Sequence, residues 1–196
     1  KIEGVAQKAS IITEINNIKD GIKIAAKSGH IEATASATTD AAANLKGLAE
    51  LAYFAEQINE QVINNTTTGD NDNTYNAISF GGSETEAGGM KLSLYAVQDK
   101  IPGILVDLGF TDGSLSSNAA FLEAQVANDL SAIAHIDRGI VVAADGTVTA
   151  GTVAWQTTET TLEARMPDNT ATTADTLKDG KFIIYFNDFG SDEVVK

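Results

Sequence analysis

The sequence predicts an α+β fold, with a long N-terminal helix and further helices packed on a C-terminal antiparallel β-sheet. Three observations predict it. Apolar residues in the first third of the chain recur at threes and fours, the helical spacing. The last third changes to alternation by twos around an Asp-Gly turn and ends in a β-rich apolar run. Helical patterns first and strand patterns later is the order of an α+β protein rather than of a βαβ repeat. With 196 residues and 43% hydrophobic content, the chain fits one domain, 1–196, with a sizeable core.

Residues 2–27 are expected to form the first helix. Val5, Ile12, Ile15, Ile18, Ile22 and Ala25 make one apolar stripe, which Ile11 and Ile24 widen. Ser28-Gly29 supplies a stop, since Gly29 can take the left-handed conformation beyond a helix end. The small, polar stretch from Ile31 to Thr39 reads as a loop. Asp40 then caps a second helix through Ile63, with Leu45, Leu48, Leu51, Ala52, Ala55, Ile58 and Val62 on its inner face and Tyr53 and Phe54 at its apolar edge. Residues 66–89, with two Gly-Gly pairs and a run of Thr, Asn and Asp, are expected to be a polar loop. Leu92–Val97 fits a strand or a helix equally well. Pro102 suits the first turn of a short helix carrying Ile104, Leu105 and Leu108, ended by Gly109. Ser117 caps a further helix, 118–136, with Phe121, Ala124, Ala127, Leu130 and Ala134 on one face, widened by Val126 and Ile133. Residues 28–137 are thus read as mainly helical and 138–196 as β-rich.

In that last part, Asp145-Gly146 marks a two-residue hairpin turn. It would set residue 143 opposite 148 and 141 opposite 150, placing Val141, Ala143, Val148 and Ala150 on one face. Thr152–Gln156 and Thr160–Arg165 add strand character, and Lys181–Asn187 is the strongest strand in the chain.

The net charge of −14 excludes non-specific binding to nucleic acid or an anionic membrane, because phosphates would repel this surface. The charge is also uneven. Residues 1–27 carry five lysines against Glu3, Glu14 and Asp20, a balance of +2 that leaves −16 for the remainder. There is no cysteine, hence no disulfide, thiolate metal site or thiol nucleophile. A body rich in Thr, Asn, Ser, Ala and Gly, with Arg138 and Arg165 as its only arginines, reads as a surface facing the outside of a cell. No apolar run approaches the roughly 20 residues of a membrane span. The first residue is Lys1 rather than Met, so an upstream segment is expected to have been removed, and any membrane contact would lie there.

No catalytic constellation emerges, and the expectation is a non-enzyme. Of the two histidines, His30 and His135, the second is expected at a helix end, where it complements the helix dipole. Ser83 lacks the spacing of a nucleophile elbow. Asp188-Phe189-Gly190 matches three letters of a kinase metal motif without a phosphate loop or catalytic loop beside it. Trp155 fits a sheet face better than a stacking platform. Asp70, Asp72 and Thr74 alternate oxygen side chains as at the opening of a calcium loop, although Tyr75 stands where the loop glycine belongs and Gly81 where the closing glutamate belongs. Calcium is therefore the one cofactor considered, set against a solvated polar turn. A glycosidase built on carboxylates alone has no pair that can be nominated.

Residues 1–23, KIEGVAQKASIITEINNIKDGIK, resemble the segment just after the membrane-embedded half of a type IV pilin or pseudopilin helix. The resemblance covers about a tenth of the chain. It implies a helix packed on an antiparallel sheet, an extracellular location, and a filament or secretion-associated subunit that assembles with copies of itself or with other pilin-like subunits. Val5, Ile12, Ile15, Ile18 and Ile22 would then divide between the subunit's own sheet and its neighbours. The family commonly has a disulfide near the C-terminus, which this chain lacks. The other reading is an exported or phage or cell-surface binding module, adhesin-like, with 66–89 and 147–176 as contact regions.

Overall fold

The computed structural model describes residues 2–33, 42–67, 72–142, 148–149, 165–167 and 179–196. The first helix, α1 (Ile2–Lys27), has the expected length, and Gly29 ends it with φ +75°. The His30 N–H closes back on the Ala25 carbonyl at 3.0 Å, satisfying one of the orphaned carbonyls of the last turn.

The second expected helix is two helices, α2 (Leu45–Glu50) and α3 (Glu56–Ile63). Asp40 lies outside the described residues, and Asn44 caps α2, its Oδ1 accepting the Gly47 N–H at 2.9 Å. The break comes at Ala52, which adopts φ +61°, so that the Tyr53 N–H reaches the Leu48 carbonyl at 3.1 Å. Asn59 then holds both backbone groups of Phe54, at 3.2 and 2.8 Å. Tyr53 and Phe54 therefore belong to the joint between two helices and not to a helix edge.

A five-stranded antiparallel sheet follows, in the order β1-β2-β3-β7-β4. Its strands are β1 (Tyr75–Asn76), β2 (Lys91–Tyr95), β3 (Gly103–Asp107), β4 (Ala134–Asp137) and β7 (Lys181–Phe186). Four of the five precede residue 138, which corrects the expectation of a mainly helical middle and a sheet confined to the C-terminal part. Pro102 leads into β3 instead of starting a helix. Ile104 and Val106 face one side of the sheet and Leu105 the other, all buried, so a run apolar on both faces imitated a helical turn. The loop expected over 66–89 contains β1, a 3₁₀ turn at Ile78–Phe80, and a bridge between Gly82 and Ala87.

The fourth helix, α4 (Ala119–Leu130), follows a 3₁₀ turn at Ser116–Asn118. It is shorter than the expected 118–136, because Ala134–Asp137 pairs with β7 as β4. Ser131 turns the chain there, its hydroxyl donating to the Asn128 carbonyl at 2.8 Å. The buried face of α4 is Ala119, Leu122, Val126, Ala127 and Leu130, whereas Phe121 points outward at 50% exposure.

The hairpin strands β5 (Val141–Val142) and β6 (Val148–Thr149) pair Val141 with Thr149 and Val142 with Val148. The register differs by one residue from the expected one, which turns Val141 outward and leaves Val142 and Val148 against the core. The Asp145-Gly146 turn, Thr152–Gln156 and all of Thr160–Arg165 except Arg165 lie outside the described residues.

Across the sheet, one face is apolar throughout. Leu92 and Leu94, Ile104 and Val106, Phe182, Ile184 and Phe186, and Ala134 and Ile136 share it, and each is buried. Helix α1 lies over this face: Tyr75, paired with Leu92 in the register, donates its hydroxyl to Glu14 at 2.8 Å, and the Lys19 ammonium sits 4.5 Å above the Phe186 ring. The opposite face carries the row Tyr95, Gly103, Tyr185 and His135, with Ser93 and Asp137 in the neighbouring row. A Cβ at Gly103 would stand 2.8 Å from the Tyr185 ring, so glycine lets that ring lie across the strand.

Candidate assembly surface

The helix α1 presents two faces of different chemistry. Ile11, Ile15, Ile18, Ile22, Ala25 and Ala26 are fully buried on the sheet. Ile11 rather than Ile12 leads this stripe, and Ile12 is only partly buried at its edge. Of the five residues expected to serve assembly, Ile15, Ile18 and Ile22 are thus consumed inside the subunit. Val5 is 60% exposed, and Ile24, at the other end, is 58% exposed.

One charged residue shares the buried stripe. Glu14 is 3% exposed, and both its oxygens are used: Oε2 by the Tyr75 hydroxyl and Oε1 by the Ser79 N–H at 2.9 Å. Burial first, opposed by the Ile78 N–H and reinforced by Glu14, holds the Tyr75 phenol well above its ordinary pKa. This hydrogen-bonded carboxylate ties α1 to the turn after β1, and the spacing of position 14 with Ile11, Ile15 and Ile18 is the signal that places it inward.

Close approach on the other flank depends on Gly21. A Cβ there would lie 2.5 Å from the Tyr53 carbonyl and 2.6 Å from the Phe54 ring. Gly21→Ala is expected to lower stability by about 1–3 kcal/mol despite the better helix propensity of alanine, because the contact is overpacked. A urea melt that shows equal or greater stability would contradict this.

The lysines of α1 explain the uneven charge. Lys8 pairs with Asp129 of α4 at 3.0 Å, Lys19 with Asp188 at 2.7 Å, and Lys23 with Glu193 at 3.4 Å. The basic helix is held against its own acidic body, with Lys23 also above the buried Phe189 ring at 5.7 Å. Asp188-Phe189-Gly190 is part of this clasp.

The solvent-facing side from Val5 to Asn17 exposes Val5, Ala6, Ala9, Thr13, Asn16 and Asn17, and none of them carries charge. The Thr13 hydroxyl is turned back on the Ala9 carbonyl at 3.0 Å. Beside the start of this strip stands Phe121, its ring 3.1 Å from the place a Gly4 Cβ would take. Val5 and Phe121 make the apolar end of an otherwise small and polar face.

Of the residues considered for calcium, Asp72 and Thr74 fall within the described part of the chain. Asp70 lies outside the described residues. Asp72 pairs with Lys46 at 3.6 Å, and Thr74 is buried at the entry to β1, its carbonyl accepting from Asn65 Nδ2 at 3.0 Å. Among the described residues no group of three or more His, Asp or Glu side chains is placed to hold a metal ion.

His135 is a strand residue of β4, buried beside Tyr185, and not a helix-end residue. Burial, the neighbouring Tyr95 and Asp137 hold the Tyr185 phenol well above its ordinary pKa, and burial followed by Asp137 raises that of Tyr95. His30 hydrogen-bonds the Tyr53 hydroxyl through Nδ1. The Ser83 hydroxyl accepts the N–H groups of Thr85 and Glu86 at 3.2 and 3.1 Å, a local turn bond. Trp155 lies outside the described residues.

Among the described residues no helix is long and apolar enough to cross a membrane. Comparisons of the chain with protein-family models, curated proteins and solved structures gave no match.

Proposed function

We propose that the chain is a subunit of an extracellular, pilin-like filament, assembling with copies of itself or with similar subunits through the outward face of α1. The observation that carries this reading is the uncharged strip from Val5 to Asn17 on a chain of net charge −14. Two such acidic bodies repel, and a face without carboxylates is where copies can meet without burying unpaired charge. The strip joins small residues to the protruding Val5 and Phe121, which gives a second helix both hollows and knobs to pack on. The resemblance of residues 1–23 to a pilin helix, the helix-on-sheet arrangement and the Thr- and Asn-rich composition support the same reading. The chemistry asked of the protein under this reading is assembly, which needs neither a catalytic group nor a cofactor.

Because the chain has no native cysteine, single thiols report contacts cleanly. Val5→Cys and Ala9→Cys, expressed in the native host, are expected to give disulfide-linked dimers within filaments sheared from the cells. Glu50→Cys, exposed on α2, is expected to give none. Absence of the chain from the filament fraction, or equal cross-linking from all three positions, would sink the proposal.

A further inference from the structure

A second surface has a chemistry that filament assembly leaves unused. Between Thr66-Thr67 after α3, the turn 85–88 and the loop 110–112 lies a cleft of about 490 Å³, within the range of small-ligand sites. Hydrogen bonds tie its walls together. Thr66 donates its N–H to the Glu84 carbonyl at 2.6 Å, and Ser114 donates to the Gly88 carbonyl at 3.1 Å. Two residues in the walls take left-handed backbone conformations, Gly88 with φ +46° and Asp112 with φ +64°. Aspartate is among the side chains that tolerate this conformation, so Asp112 turns the chain there without a glycine.

The lining is mainly polar. Thr66, Thr67, Thr85 and Thr111 bring hydroxyls, Lys91 an ammonium, and Glu86 and Asp112 carboxylates. The Lys91 ammonium is held 4.3 Å over the Phe110 ring, which forms the apolar part of the wall. The Thr66 and Thr67 hydroxyls donate to the Glu84 carbonyl and to Asn65 Oδ1, at 3.2 and 2.6 Å, and Thr67 also accepts from Asn76 Nδ2 at 3.4 Å, so each keeps at least one acceptor lone pair.

We infer that this cleft binds a saccharide. One cation against two anions disfavours an anionic ligand, and the ammonium among the carboxylates disfavours a bare metal ion. Too little apolar surface lines the cleft for an apolar ligand. A neutral polyhydroxylated ring matches what is present: carboxylates and threonine oxygens accept from sugar hydroxyls, and the ammonium donates to them. The inference does not depend on the filament reading, since the cleft is walled by neither α1 nor α4.

The test uses methyl glycosides of glucose, galactose, mannose and N-acetylglucosamine as probes, with inorganic phosphate as the anionic control. Saturation-transfer NMR detects binding, and amide shifts locate it. At least one glycoside is expected to bind at millimolar concentration, with shifts concentrated at 66–67, 85–88 and 110–112. Asp112→Asn keeps a residue that tolerates the left-handed conformation, and Lys91→Met keeps the stem over Phe110. Each is expected to weaken binding about tenfold through loss of a charge-assisted hydrogen bond, with an unchanged far-UV spectrum. No transfer to any glycoside, shifts lying elsewhere, binding indifferent to both substitutions, or phosphate as the sole binder would each overturn the inference.

Discussion

Replacing Ile18 with alanine is expected to destabilise the protein by about 2–5 kcal/mol, the cost of deleting buried methyl and methylene groups plus the cavity left behind. Ile18 is fully buried, between Ile15 and Ile22 on the helix and over a sheet face made of other buried aliphatic and aromatic side chains. Such a site has little freedom to collapse, because the strands beneath it are locked in a five-stranded ladder. Val5→Ala, made in parallel, is expected to change stability by less than about 0.5 kcal/mol, since Val5 is 60% exposed. Urea denaturation followed by circular dichroism reads both as shifts in midpoint at constant slope. The contrast decides what α1 is. A large loss at Ile18 with none at Val5 makes the helix from Ile11 onward an inseparable layer of the body and its first turns the surface left for other molecules. Equal, small effects would mean that the helix can detach, and assembly could then use the whole apolar stripe.

The helix itself was legible because its period persists for 26 residues, long enough to average out single exceptions. The exceptions mattered at the finer level. Ile11 and Ile12 are adjacent, both apolar, and only the packed sheet decides that Ile11 leads the stripe. The run from Ile104 to Leu108 shows the opposite limit. A strand buried on both faces has no alternation to display, and Pro102 before it supplied a helix-start signal that tertiary pairing with β2 and β7 overrode. The same competition shortened α4: Ala134 and Ile136 continue a helical spacing, yet they also fit the apolar face of a strand, and pairing with β7 claimed them.

Less of the candidate surface could be read from the chain alone. The basic balance of residues 1–27 was visible, but its meaning lay in Asp129, Asp188 and Glu193, more than a hundred residues away. Glu14 carried a usable signal, a carboxylate at the spacing of the buried stripe, whereas its partner Tyr75 had none before the sheet placed it. The saccharide cleft takes two of its walls from the polar segment 66–89 that was read as a contact region, but Lys91 and the loop 110–112 join it only through the fold.

Alkaline pH is expected to unfold the protein steeply, and the two buried phenols set the slope. Tyr75 and Tyr185 are each 1% exposed, and in each case burial is the first cause that raises the folded-state pKa above the ordinary value near 10. In the unfolded chain both phenols ionise near that ordinary value, while in the folded chain both keep their protons. Above about pH 10 the unfolded state therefore binds fewer protons than the folded one, and stability falls as pH rises. Below that value the contribution is fully present, and it is lost progressively as pH climbs toward the folded-state values. Each phenol contributes a slope of about 1.4 kcal/mol per pH unit, so the pair gives nearly 3 kcal/mol per unit, a large share of a typical domain's stability. Urea midpoints measured between neutral and strongly alkaline pH check the slope. Tyr185→Phe is expected to remove about half of it. Tyr75→Phe is expected to do the same while also lowering stability at neutral pH, because Glu14 then loses the hydroxyl it accepts from and remains buried. If neither substitution flattens the alkaline limb, the phenols are not what titrates. If Tyr75→Phe leaves neutral stability unchanged, Glu14 does not depend on that hydroxyl to bind α1 to the sheet.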